Sequence, residues 1–256
     1  MARLWLLLAL MLVVSPQCVR AGSNGHAPIT AERVVQGGVE YDLVWVDLRR
    51  STIELFWRDP DDSPFHNFWR LRSVLRRADR DLVFATNAGI FAKDETPLGL
   101  HIEGGKTLRP LNRGRGGGNF FLKPNGVFWI AAGRAHIDET EAFAALTPAP
   151  KPTLAVQSGP LLVHRGTLHY KLDPSSNSRY VRNGVGVHTP GLVVFAISSK
   201  PVNLHAFATL FRTTLGCSDA LYLDGSLSEM YVPVTGRTPP GYGYVGILGV
   251  TRNDGE

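Results

Sequence analysis

Five short glycine-bearing connections run through the middle of this chain, and they restrict its fold more than any other feature: Glu103-Gly104-Gly105, Pro124-Asn125-Gly126, Ala132-Gly133, Arg165-Gly166 and Pro190-Gly191. Each separates two apolar or alternating runs. Glycine accepts the left-handed backbone that tight connections demand, and a connection this short joins antiparallel neighbours. Parallel strands would need crossovers of a dozen residues or more. The expectation is therefore an α+β fold of twisted, largely antiparallel sheets with a few packed helices, in a single domain with room for two lobes.

Residues 39–48 and 52–57 read as strands rich in Val, Ile and aromatics. Phe68, Leu71, Val74, Leu75 and Ala78 fall at helical spacing, with Arg70, Arg72, Arg76, Arg77 and Arg80 filling a solvated face. A buried-type strand over 82–86 ends at Asn87-Ala88-Gly89. A helix is expected over 204–215, capped by Asn203 and ended by Gly216, followed by a strand over 220–223 that delivers Asp224. The Pro-rich residues 147–152 read as a hinge or surface loop, and no repeat period appears.

At the start, Arg3 precedes an apolar run over 4–14, which is of signal-peptide length and too short to span a bilayer. Small residues at Val19 and Ala21 place cleavage after Ala21. The division is a signal peptide over 1–21, a flexible leader over 22–34 and one domain over 35–252. Export to the periplasm or the medium follows, without stable membrane insertion after cleavage; lipidation at Cys18 is the alternative processing. Cleavage leaves one cysteine, Cys217, read as a small core residue, so no internal disulfide forms. About 235 residues are enough to bury a self-sufficient core. The net charge is +5, or +3 without Arg3 and Arg20, with no basic tail. Nucleic acid is not expected as a partner, whereas an anionic substrate fits. Oligomeric state is not assigned.

Asn87, Gln157 and Asp224 each close an apolar run beside a glycine-containing turn. Such positions collect polar groups at a sheet rim, where backbone approaches a ligand. The competing account is that each caps its own turn. Arg182-Asn183-Gly184 and Glu103 extend the pattern.

The stretches TNAGIF (86–91), PLGLHIEGG (97–105), GNFFLKPNGVFWI (118–130), VQSGPLLV (156–163), RNGVGV (182–187) and FATLFRTTLGCSDALYLDGSLSEMY (207–231) occur in an order that resembles the phosphodiester glycosidase family, and its bacterial branch most closely. The resemblance covers roughly residues 35–250. It implies hydrolysis of the bond between a sugar's anomeric carbon and a phosphate oxygen in a glycan or envelope phosphodiester. The lysosomal branch carries a longer glycine run after the aspartate, where this chain has Gly225-Ser226-Leu227-Ser228. Its sugar specificity therefore does not transfer.

In such a substrate the departing phosphate already bears its charge well, so a carboxylate at the cationic carbon or on water matters more than a strong acid. Asp224 is the expected carboxylate. Glu103 is the second acid, as base or hydroxyl clamp, with a solvent-facing turn residue as its alternative. Arg182 is the phosphate donor through paired hydrogen bonds, with a structural ion pair as the alternative. Asn87, Gln157 and Ser158 suit sugar hydroxyls, with Gly159, Asn183, Gly225 and Ser226 beside them. The loop 112–119 (NRGRGGGN) lacks P-loop spacing. The eight histidines show no metal pattern and no cofactor is expected, although a divalent ion on Asp224 and backbone oxygens stays open. Ser158 and Ser226 lack a serine-hydrolase setting. The alternative function is a non-catalytic envelope or polysaccharide-binding module with the same pocket.

Overall fold

The computed structural model describes residues 27–224, 227–239, 241 and 243–253. The signal peptide, Cys18, the first residues of the leader, Gly225 and Ser226 lie outside the described residues.

The described elements, in order, are β1 (Thr30–Gln36), β2 (Val39–Asp47), β3 (Ile53–Phe56), α1 (Phe68–Arg76), β4 (Arg80–Asn87), β5 (His101–Glu103), β6 (Lys106–Arg109), β7 (Gly126–Ala131), β8 (Arg134–Glu139) and α2 (Thr140–Ala144). There follow β9 (Leu154–Ser158), β10 (Leu161–His164), β11 (Thr167–Leu168), β12 (Asn183–Thr189), β13 (Leu192–Ser198), α3 (Leu204–Thr209), β14 (Asp219–Asp224), β15 (Met230–Tyr231) and β16 (Ile247–Asn253). They make a seven-stranded sheet, β1-β2-β13-β12-β14-β10-β11, a four-stranded sheet, β15-β4-β16-β3, and a five-stranded sheet, β6-β5-β9-β7-β8. Every strand pair is antiparallel, as the turn chemistry requires.

The inner faces of the three sheets share one core. Phe84 of the four-stranded sheet meets Phe195 of the seven-stranded sheet at 4.9 Å between ring centroids, and Phe128 of the five-stranded sheet reaches Phe195 edge-on at 6.4 Å. All three rings are fully buried, each contributing about 1.5–3 kcal/mol. On the outer face of the seven-stranded sheet, α3 and the helical turn that continues it lay Phe207 and Phe211 against Tyr41, Val194 and Tyr222. The glycines of RNGVGV permit this approach: a Cβ on Gly186 would stand 2.6 Å from Cys217 Sγ and 2.7 Å from Phe211 Cδ1. On the four-stranded sheet, α1 buries Phe68, Leu71 and Leu75, and Asn67 caps it by accepting the Arg70 N–H at 2.8 Å.

The structure corrects several boundaries. The leader does not extend to residue 34, because β1 starts at Thr30 and pairs with β2, Arg33 meeting Asp42 at 2.7 Å across the strands. The connecting Gly37-Gly38, both at positive φ, is a hairpin turn that the sequence expectations did not include. Pro124-Asn125-Gly126 is not a hairpin: it joins a 3-10 turn at Asn119–Phe121 to β7, with buried Asn125 donating to Phe120 O at 2.8 Å. Arg80 begins β4 rather than ending α1, since the chain turns at Asp79 with φ 53°. The helix from Asn203 becomes a π-helical turn over Leu210–Thr214 before ending at Gly216, φ 61°. No helix among the described residues is long and apolar enough to cross a membrane.

Candidate active site

Antiparallel neighbours run in opposite senses, so the end of β14 and the start of β12 lie side by side, with Asp224 opposite Asn183. The register slips here: Gly184 faces Tyr222 and Asn183 faces Asp224, so Leu223 is an extra residue in β14. Such a bulge re-aims the residue after it. Tyr222 packs outward beneath α3, yet Asp224 meets Asn87 of the four-stranded sheet, whose Nδ2 donates to Asp224 Oδ2 at 3.3 Å.

Asn183 organises the junction. Its Oδ1 accepts the Asp224 backbone N–H at 3.0 Å, and its Nδ2 donates to Thr86 Oγ1, Asn87 O and Asn87 Oδ1 at 2.8, 2.7 and 3.0 Å. The acceptor role toward a backbone N–H fixes which way this amide points. Asn87 Oδ1 also accepts the Glu229 N–H at 2.8 Å. Ser228 Oγ accepts the Asn183 N–H at 3.1 Å and bonds to the Asp224 carbonyl oxygen. Ser158, at the end of β9, donates to Leu223 O at 3.1 Å. Asn183 and Ser158 are fully buried, and Asp224 is only 7% exposed. Breaking one such bond strands a buried group at about 1–3 kcal/mol, so the network fixes the Asp224 backbone through Asn183 while Asn87 reaches its carboxylate.

The structure thus gathers Asp224, Asn87, Asn183 and Ser158 at one rim, and adds Thr86 and Ser228. Gln157 lies next to Ser158, but its side chain is occupied. Its Oε1 accepts from Leu100 N and Asn112 N at 3.0 and 2.9 Å, and its Nε2 donates to Asn112 O and Thr140 Oγ1 at 2.7 and 3.1 Å. It clamps the loop before Asn119 rather than facing a sugar. Gly159 serves packing, since a Cβ there would stand 2.7 Å from Asn125 Cβ and 2.8 Å from Phe120 O.

Two expected roles do not match the geometry. Glu103 is not brought to Asp224: Ile102 faces Ala155, so Glu103 lies at the opposite end of β9 from Ser158, about 13 Å along the strand. Its carboxylate instead holds His101 Nε2 at 2.6 Å, with the His101 ring buried beside Trp57. Arg182 is fully buried. Its Nε, Nη1 and Nη2 donate to Val202 O, Tyr222 OH and Ser178 O at 2.8, 2.7 and 2.9 Å, so it is a structural cation without a face for phosphate.

Glu229, which stands in the same 207–231 stretch as Asp224 but was not among the expected site residues, joins this network through its backbone N–H to Asn87 Oδ1. Burial pushes its carboxyl up, opposed by a Gly241 N–H and the charge of Arg237. Its signal was spacing, five residues beyond Asp224 and one before a strand. Tyr222, whose phenol is raised by burial, bonds both Arg182 and the Asn119 side chain. Among the described residues no three His, Cys, Asp or Glu side chains converge as a metal site.

Comparisons with known proteins agree with this architecture. The model of the phosphodiester glycosidase family matches residues 80–246, which carry every rim residue. The uncharacterized protein YigE of Escherichia coli K12 is 31% identical over 207 residues, 81% of this chain and 80% of that protein. The zebrafish N-acetylglucosamine-1-phosphodiester alpha-N-acetylglucosaminidase catalytic domain, auto-inhibited by its pro-peptide, superposes with a TM-score of 0.58 at 16% identity, covering 92% of this chain and 87% of that one. A hypothetical protein from Synechocystis gives 0.51 at 16% identity, covering 87% and 61%. At these identities the two structures share the fold.

Proposed function

This chain belongs to the phosphodiester glycosidase family, and from that premise we propose that it hydrolyses the bond between a sugar's anomeric carbon and a phosphate oxygen in a glycan or envelope phosphodiester. The observation that carries the reading is Asp224, a nearly buried carboxylate at the end of β14, oriented by Asn87 and Asn183. A side chain of another sheet, Asn87, reaches its carboxylate, and a side chain of the neighbouring strand, Asn183, holds its backbone N–H.

Cleavage at the anomeric carbon develops positive charge on the sugar while the phosphate leaves with the bonding electrons. A carboxylate fixed beside that carbon stabilises the charge or attacks it. Preorganisation matters because Asp224 then needs no rearrangement as the charge appears. The Asn87 amide that reaches the carboxylate is neutral and brings no full positive charge of its own. The phosphate needs little protonation to depart, so a second strong acid at the rim is not required.

The leader supports export, which would put the protein where envelope glycans are. Incubation with a panel of sugar-1-phosphodiesters, reading both the reducing sugar and the released phosphomonoester, tests the reaction. Release of both in equal amounts is expected. Binding without release would move the protein to the class of non-catalytic glycan-binding modules.

A further inference from the structure

Three buried polar atoms downstream of Asp224 have no hydrogen-bond partner among the described residues: Tyr244 OH and, on two side chains of opposite charge, Glu229 Oε2 and Arg237 Nε. Of the charged two, the first accepts and the second donates. Both are held by their backbones. The Glu229 N–H donates to Asn87 Oδ1 at 2.8 Å and its carbonyl accepts from Thr86 Oγ1 at 2.9 Å. Arg237 is fixed across a tight turn by reciprocal backbone bonds with Val232, at 2.7 and 3.2 Å. Its Nη1 is anchored on Asp42 Oδ2 at 2.5 Å, which leaves Nε uncommitted.

The two side chains are close enough for the Arg237 charge to act on the Glu229 carboxyl, yet no ion pair joins them within 4.0 Å. Arg237 is paired with Asp42 and the Glu229 carboxyl receives the Gly241 N–H, so what stays unmet is one donor on the first side chain and one acceptor on the second. A buried donor or acceptor left without a partner is costly to the fold. A molecule with an acceptor and a donor of its own would satisfy both.

We propose that Glu229 and Arg237 form a ligand subsite beside Asp224 for a glycosyl phosphate, with Arg237 Nε–H donating to a phosphate oxygen and Glu229 Oε2 accepting from a sugar hydroxyl. The subsite rests on the reading of this chain as acting on sugar phosphodiesters, and it supplies the phosphate contact that buried Arg182 does not. Asn87 links it to the carboxylate, since this one amide accepts from Glu229 N–H and donates to Asp224. The ligand is thereby placed in register with the reacting carbon.

Titration calorimetry on Asp224→Asn protein, which removes turnover, tests the proposal with inorganic phosphate, glucose 1-phosphate and N-acetylglucosamine 1-phosphate as probes. Arg237→Lys keeps a charge opposite Asp42 but loses the Nε–H, and is expected to weaken all three by about tenfold or more. Glu229→Gln, of nearly equal size, is expected to weaken both sugar phosphates while leaving inorganic phosphate unchanged. No phosphate binding by the parent protein, or equal affinities in parent and both variants, overturns the subsite and leaves these atoms to water. If Arg237→Lys does not fold, the Glu229→Gln comparison decides alone. Binding that follows the pair while no sugar-1-phosphodiester is cleaved keeps the subsite and removes the hydrolytic reading. Cleavage that ignores both substitutions does the reverse.

Discussion

Arg182→Lys should cost this protein stability and leave its affinity for a phosphodiester unchanged. Arg182 is fully buried and reaches three separate oxygens, Val202 O, Tyr222 OH and Ser178 O, at 2.8, 2.7 and 2.9 Å. A lysine ammonium is a single point and cannot span that triangle. Losing two charge-assisted bonds at roughly 1.5–3 kcal/mol each gives a loss of about 3–6 kcal/mol. The guanidinium also lies over the rings of Tyr180 and Tyr222, at 5.3 and 5.2 Å, a contact that lysine makes less well. For a domain of this size each kcal/mol moves Tm by about 2–4 °C, so thermal unfolding followed by circular dichroism should shift down by about 10 °C. Steady-state kinetics well below both transitions should show an unaltered KM. A variant with wild-type Tm whose KM for a phosphodiester rises about a hundredfold would refute this reasoning and return Arg182 to the substrate.

Three other outcomes are expected. Burial pushes the Cys217 thiol up to about 12, so at pH 8 only about one molecule in ten thousand carries the thiolate, and peptide mapping should find Cys217 unmodified by a disulfide reagent until denaturant is added; rapid native labelling would contradict its placement. Burial holds His136 and His169 below the usual histidine range, so the unfolded chain binds more protons just below its own value near ~6.5, and Tm should fall as pH drops from 7.5 to 5.5, less steeply in His169→Gln; a Tm that rises on acidification would contradict the sign. A Cβ on Gly99 would stand 2.4 Å from Gln157 Oε1, and because four hydrogen bonds fix that side chain, Gly99→Ala should lose about 1–3 kcal/mol in denaturant unfolding, whereas an unchanged midpoint would mean that Gln157 is not clamped.

The parts of this fold that were legible in the sequence are those set by local chemistry. Glycine-bearing turns announce hairpins, Asn203 caps its helix through Ala206 N, and Gly216 ends the helical segment because each acts within a few residues. The rim was half legible. Of the runs read as ending on Asn87, Gln157 and Asp224, the first and last do converge, while Gln157 turns to the loop before Asn119 and its neighbour Ser158 reaches the rim; a strand's end marks a rim without saying which one. In an antiparallel sheet alternate strands end on opposite sides, and Glu103 belongs to the far one. The burial of Arg182 was hidden for another reason. Its partners stand 4, 20 and 40 residues away and two of the three are backbone carbonyls, which have no side-chain signature in sequence. Strand β1 was missed because the polar residues before it read as leader, although Gly37-Gly38 already carried the turn.

Asp224→Asn bears most directly on the catalytic carboxylate. The asparagine keeps the size of the side chain and an oxygen to accept from Asn87 Nδ2, and the Asp224 N–H bond to Asn183 is a backbone contact that the substitution does not touch. With the wild-type protein and a sugar-1-phosphodiester that it cleaves, initial rates of both product releases should fall on the order of a thousandfold in the variant, while Tm stays within a few degrees of wild type. A folded variant that turns over at the wild-type rate would contradict the assignment of Asp224 as the carboxylate that meets the anomeric carbon.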